Sequence, residues 1–85
     1  MDRHTLYRLG PNKLAREHYQ AFQVRLSDMM KERRAGSPVV SVAAEASVNP
    51  GTWRKAEAGK LDVHVSTLFK LCSMLSVKPE SLFSP

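Results

Sequence analysis

The sequence has few of the residues that would cross-link a small fold or place it in a membrane. Cys72 is the only cysteine among the 85 residues, so an intrachain disulfide is excluded and a reducing compartment is the simplest expectation. No run of about 18 apolar residues and no charged-then-apolar leader is present. We therefore expect neither a membrane span nor secretion, and predict a cytoplasmic protein.

The patterns of catalytic and metal-binding chemistry are also missing. His4, His18 and His64 are scattered without partners at metal-ligand spacing. No Ser-His-Asp arrangement, paired carboxylate site or glycine-rich phosphate loop can be assembled. We expect no enzymatic activity, no metal, no cofactor and no small-molecule ligand. A chain of this length has room for one domain with one hydrophobic core.

Positive charge is what the sequence has in excess. Thirteen lysines and arginines against eight acidic residues give a formal net charge of +5. The sequence pI is about 9.8, which favours a polyanionic partner such as nucleic acid.

Apolar spacing and capping residues predict an all-α fold. Residues 1–11 mix basic and apolar side chains and stop at Gly10-Pro11, so we interpret them as an N-terminal arm. Arg3 and Arg8 could extend along DNA, although a solvated tail is the favoured interpretation. Residues 12–85 are predicted to form a single domain.

Four helices are expected in that domain. The first runs from an N-cap at Asn12 to about residue 34, and the second covers about 38–46, with Ser37 as its N-cap and Pro38 in its first turn. Asn49-Pro50 repeats this signal for a third helix that stops at Gly59. After a connection through residues 60–62, a fourth helix covers about 66–75, and Pro79 starts a last turn. The expected core faces are Ala15, Tyr19, Phe22, Leu26 and Met29 on the first helix, and Val65, Leu68, Leu71, Cys72 and Leu75 on the fourth.

The second and third helices are short and separated by only a few residues, which predicts a helix-turn-helix. Ala43, Ala44 and Ala46 supply small side chains where these helices cross. Trp53 and Ala56 fall three apart on the buried side of the third helix, whereas Thr52, Arg54 and Lys55 lie around the other side.

Residues 42–60 resemble the helix-turn-helix of the Cro and lambda-repressor-like family, also called the XRE family. Val42-Ala43 matches the apolar-Ala pair, Val48-Asn49 the turn, Trp53 the buried aliphatic position and Glu57-x-Gly59 the exit. Residues 65–77 are similar to the family's fourth helix and its closing turn. The resemblance implies a lambda-repressor-like bundle of about five helices and a transcriptional regulator, most often a repressor, that binds double-stranded DNA.

Three departures from the family pattern stand in the sequence. Ser47 replaces the usual turn glycine, and because non-glycine residues disfavour positive φ, the turn is expected to be either strained or modified in shape. Pro38 or Val39 replaces the polar residue that opens the second helix. The basic partner of the exit glutamate would fall at Glu32, so that only a register shift would let Lys31 or Arg33 reach Glu57.

Side-chain chemistry and the resemblance together nominate the DNA-binding residues. Arg54 can bind the O6 and N7 atoms of a guanine, and Lys55 can do so less rigidly or reach a phosphate. Thr52 suits a thymine methyl or a phosphate, Gly51 permits close approach, and Asn49 suits a phosphate at a helix N-terminus. The predicted site is therefore Asn49, Gly51, Thr52, Arg54, Lys55 and Lys60.

A single recognition helix contacts few base pairs, so we predict a homodimer on an inverted repeat. Its surface could be the first helix with Leu6 and Tyr7, around Tyr19 and Phe22, or the C-terminal pair Leu82 and Phe83. Two alternatives to a stand-alone repressor stay open. One is an antitoxin that binds a toxin and autoregulates its operon, and the other is a protein-interaction module with a degenerate helix-turn-helix.

Overall fold

The computed structural model describes residues 3–60 and 64–83, in which no strand occurs. The predicted all-α class is confirmed for this part of the chain. The elements are α1 (Arg3–Leu9), α2 (Lys13–Arg34), α3 (Val39–Glu45), α4 (Pro50–Glu57), α5 (Val65–Leu75) and a 3-10 helix (Pro79–Leu82). None of these helices combines the length and the apolar character needed to cross a membrane. The predicted connection through residues 60–62 lies outside the described residues except for Lys60.

The segment interpreted as an arm is helical. Gly10 does end it, with φ of 61° and its N–H donating to the Leu6 carbonyl at 3.0 Å. The short helix before this glycine lies against α2 and buries Thr5, while Arg3 and Arg8 stay exposed. A breaker after residue 9 marks where a helix stops and leaves room for a helix before it, which the interpretation as an arm overlooked.

Helix α2 is the longest element, and α1, α4, α5 and the 3-10 helix all pack against it. Its N-cap is confirmed, because the Asn12 side-chain oxygen accepts from the Ala15 N–H at 2.9 Å. The core face is formed by Phe22, Leu26 and Met30, four residues apart. At the end of the predicted stripe Met29 does pack against the core but is only partly buried, whereas the neighbouring Met30 is fully buried.

Two further details of the prediction are corrected. Pro38 is the N-cap of α3 in extended conformation, with no side-chain cap, and Ser37 lies outside the helix. Val65, expected on the buried face of α5, is 70% exposed because it begins the helix, one turn before Leu68 reaches the core.

The hydrophobic core lies between α2 and the layer formed by α3, α4 and α5. Trp53 is its largest fully buried side chain, as predicted. Ala43 and Ala46 are buried where α3 meets α4, whereas Ala44 is exposed, so only two of the three predicted small contacts exist. Cys72 is packed in the core, where burial raises the pKa of its thiol.

Candidate nucleic-acid interface

The turn between α3 and α4 occupies residues 46–49 and is held by backbone hydrogen bonds. Ser47 has φ of 58°, and its N–H donates to the Ala44 carbonyl at 3.1 Å. The Val48 N–H donates to the Ala43 carbonyl at 3.0 Å, and Val48 packs against the core. This pair of bonds is the Schellman arrangement, which usually places glycine at the left-handed position. Of the two outcomes expected at Ser47, the structure has the strained one, because this non-glycine residue keeps the left-handed conformation.

Helix α4 begins as its sequence predicts. The Asn49 side-chain oxygen accepts from the Gly51 N–H at 2.7 Å, and Pro50 occupies the first turn, where a missing N–H costs nothing. A Cβ added at Gly51 would lie 3.0 Å from this same oxygen, so a side chain there would crowd the cap. Asn49 therefore has a structural role besides the predicted phosphate contact.

One face of α4 is fixed to the body of the fold. Trp53 and Ala56 are fully buried and Glu57 is nearly so. The Trp53 indole Nε1 donates to Oε2 of Glu57 at 2.6 Å, and the Ser27 hydroxyl of α2 donates to the Glu57 carbonyl. An eight-residue helix has little stability by itself, so these contacts determine its orientation.

The carboxylate of Glu57 is also held by Arg34, at the end of α2. Arg34 Nε lies 3.0 and 3.2 Å from the two carboxylate oxygens, and Nη2 lies 2.6 Å from Oε1. The hydrogen bonds from Arg34 are the main cause that lowers the pKa of Glu57, ahead of the opposing effect of burial, and the Trp53 indole lowers it further. The same hydrogen bonding raises the pKa of Arg34.

The sequence prediction did not find this partner. It considered Lys31 or Arg33, but Arg33 points elsewhere and forms an exposed pair with Glu45 at 3.2 Å. Ser27 and Arg34 are seven residues apart, two helical turns, and so share a face of α2. Met30 is buried and precedes Arg34 by four residues, about one helical turn. The position of Arg34 one turn after Met30 and two turns after Ser27 is the signal that could have identified it.

The opposite face of α4 carries the predicted cations. At about 100° per residue, Gly51 and Lys55 point away from the buried face and Arg54 lies at its flank. Arg54 and Lys55 are exposed, whereas Gly51 and Thr52 are half-buried. Lys55 is therefore placed more centrally on this face than Arg54.

The exit from α4 brings one more cation to the site. Gly59 has φ of 71°, and the Lys60 N–H donates to the Lys55 carbonyl at 2.9 Å, while the Lys60 side chain is exposed. The one acidic side chain in residues 49–60 is Glu57, which is neutralised by Arg34. The charge that this segment presents to solvent is therefore positive.

A shallow groove of about 480 Å³ runs beside the segment, between α4 and the junction of α2 with α3. Arg54 lines it together with Lys31, Arg34 and Val39. On the other side of the turn, the Lys70 ammonium of α5 donates to the Ser47 carbonyl at 3.3 Å. The sequence prediction missed Lys70, because only the tertiary packing brings α5 to the turn.

The six predicted site residues thus lie in one continuous stretch from the turn to the exit of α4. Comparison with known proteins adds no assignment: no family model, no curated protein and no solved structure matches the chain.

Proposed function

We propose that this chain is a sequence-specific DNA-binding transcriptional regulator with a lambda-repressor-like bundle, in which α3 and α4 form a helix-turn-helix. One observation carries the proposal. Helix α4 buries Trp53, Ala56 and Glu57 on one face and exposes Lys55 opposite this face and Arg54 at its flank. A helix that is held from behind and cationic in front suits the major groove of double-stranded DNA.

The dimensions of α4 support this proposal. Its eight residues span about 12 Å along the helix axis, and an α-helix with its side chains is about 10–12 Å wide. The major groove is about 12 Å wide and admits one such helix. Gly51 lies on the outward side of α4 and has no side chain, so the first turn can approach base edges or phosphates closely.

We assign two kinds of contact to the site. Arg54 and Lys55 contact base edges, with Arg54 able to bind one guanine through two hydrogen bonds. Lys60, at the exit, and the N-terminal turn at Asn49 contact phosphates and set the position of the helix on the duplex. When the protein occupies the operator, transcription is repressed. A homodimer contacts both halves of an inverted repeat.

Binding to double-stranded DNA at several salt concentrations tests the proposal. The DNA sites would first be selected from a random duplex pool, and then measured by fluorescence anisotropy. Affinity should fall about 10³-fold or more between 50 and 200 mM salt if six or more phosphates are contacted across the dimer. On the selected site, Arg54→Ala should cost about 1–3 kcal/mol and relax preference at one base pair.

Lys78→Ala is the matched control, because Lys78 is exposed and caps the 3-10 helix, which packs on α2 and α5. It should leave both affinity and preference close to those of the parent chain. Absence of salt-dependent binding to any duplex would overturn the proposal and favour a protein-interaction module. If Arg54→Ala binds the selected site as tightly as the parent chain and Lys78→Ala do, Arg54 is removed from the contact surface.

A further inference from the structure

An apolar face lies at the opposite end of α2 from α4. Two segments that are far apart in the sequence form it, because Phe22 of α2 stacks on Phe83, with ring centroids 5.2 Å apart and planes 5° from parallel. Beside this pair is a groove of about 330 Å³. Its lining includes Leu9 of α1, Ala15, Tyr19 and Phe22 of α2, Val65 of α5 and Phe83.

The groove is lined without any Lys, Arg, Asp or Glu side chain, whereas four other grooves on the described surface each include at least one. Two copies of a chain with a net charge of +5 repel each other over most approaches. A groove lined without these charged side chains is the place where that repulsion opposes contact least. We propose that a second copy of this chain docks on this apolar face and forms a twofold dimer there.

The exposed apolar area on this face is of the size that a dimer needs. Four large apolar side chains on this face are exposed. Val65 and Phe83 line the groove and are 70% and 62% exposed. Phe69 follows Val65 by one helical turn, and Leu14 precedes His18 of the groove by one turn. A large apolar side chain has about 150–200 Å² of surface. Multiplied by the exposed fractions of these four, this leaves roughly 450 Å² accessible to a partner. A standard interface takes about 800 Å² from each partner, of which roughly three-fifths is apolar. The two estimates agree.

This assignment also resolves the two surfaces that the sequence left open. Helix α2, which the sequence analysis counted as the first helix, and the C-terminal residue Phe83 belong to one face, since Phe22 and Phe83 are in contact. Leu82 is removed from the candidate surface, because it is fully buried. Phe22 is largely buried beneath the ring of Phe83. Phe83 is therefore the member of this pair that can contact the second copy.

The position of the face fits the proposed function, on which only this step depends. The groove lies near residue 18 of α2, whereas α4 packs near residue 30, about 18 Å further along the helix axis. A twofold axis that passes through the groove perpendicular to α2 would then separate the two α4 helices by roughly 35 Å. Successive major-groove half-sites on one side of DNA are about 34–36 Å apart.

Sedimentation equilibrium of the full chain without DNA tests the dimer independently of DNA binding. We expect a dimer for the parent chain and a dimer dissociation constant raised at least about 100-fold in Val65→Glu. Glutamate suits the first turn of α5, so this variant should stay folded. Val24→Glu is the control, because Val24 is also about half-exposed but lies outside the groove, and it should remain dimeric.

Phe69→Lys provides a second variant of opposite charge, and circular dichroism of each variant confirms its folding. A parent chain that stays monomeric at about 100 μM would overturn the proposed dimer. This would hold even if the apolar face were found to bind a different protein. A dimer that survives both Val65→Glu and Phe69→Lys would place the interface elsewhere. A dimer without affinity for DNA would support the inference and overturn the proposed function alone.

Discussion

Removal of the Glu57 carboxylate tests the contact network that orients α4. In Glu57→Ala the fully buried indole N–H of Trp53 loses its acceptor, which costs about 1–3 kcal/mol. The guanidinium of Arg34 loses three hydrogen bonds but stays about one-third accessible to water, which limits its share. We expect the free energy of unfolding to fall by about 2–3 kcal/mol, a large part of the 5–15 kcal/mol typical of a domain.

The chain offers a closely matched control in Glu45→Ala. Glu45 is the last residue of α3, as Glu57 is of α4, and it also pairs with an arginine of α2. The pair with Arg33 is exposed on both sides, at 47% and 58%, so its loss should cost about 0–0.5 kcal/mol.

Urea denaturation would measure both variants, with Trp53 fluorescence and far-UV circular dichroism as separate readouts. Trp53 is the one tryptophan of the chain, so its emission reports on the packing of α4 directly. Similar losses in Glu57→Ala and Glu45→Ala would refute the reasoning, since they would show that burial of the carboxylate and its indole contact add nothing. A loss below about 1 kcal/mol in Glu57→Ala would do the same.

Three further predictions concern pH, the turn and the buried thiol. The folded state lowers the pKa of Glu57, so the ionised carboxylate should stabilise the fold fully above the ordinary glutamate pKa of about 4.3. This stabilisation should be lost as the pH falls through the lowered pKa. The Tm measured from pH 6 to 2 should therefore decline less in Glu57→Gln than in the parent chain. Ser47→Gly should relieve the left-handed strain and stabilise by about 0.5–1 kcal/mol, whereas Ser41→Gly inside α3 should destabilise by about 1 kcal/mol, both by urea titration. Cys72 should react with a thiol reagent at least about 100-fold more slowly in the native protein than in urea, and fast native labelling would contradict its packing.

The helix boundaries were largely predictable because they are marked by local chemistry. Asn12 and Asn49 cap their helices with side-chain hydrogen bonds, and each interaction spans at most three residues. The exposed cations of α4 were predictable for a similar reason, since the position of Trp53 determines which side of a short helix faces outward. The all-α class followed from these local signals.

Features that depend on contacts distant in the sequence were not predictable in the same way. A spacing of three or four residues accepts either Met29 or Met30 on the core side of α2, and the packing of the other helices selects Met30. The pairing of Arg34 with Glu57 joins residues 23 apart and depends on where α2 ends relative to α4. The contact of Phe22 with Phe83 spans most of the chain.

The ion pair between Arg34 and Glu57 also affects the charge that α4 presents to solvent. If Glu57 were exposed, its carboxylate would lie within a few residues of Arg54 and Lys55 and would repel a phosphate. Instead, Arg34 and the Trp53 indole use both carboxylate oxygens, and the residue is nearly buried. The negative charge is thus compensated inside the fold, where it contributes to the position of the helix, and the exposed charged side chains of residues 49–60 are all cations. A helix of eight residues can in this way be both firmly attached and uniformly positive toward a partner, which is the combination that the proposed contact with DNA requires.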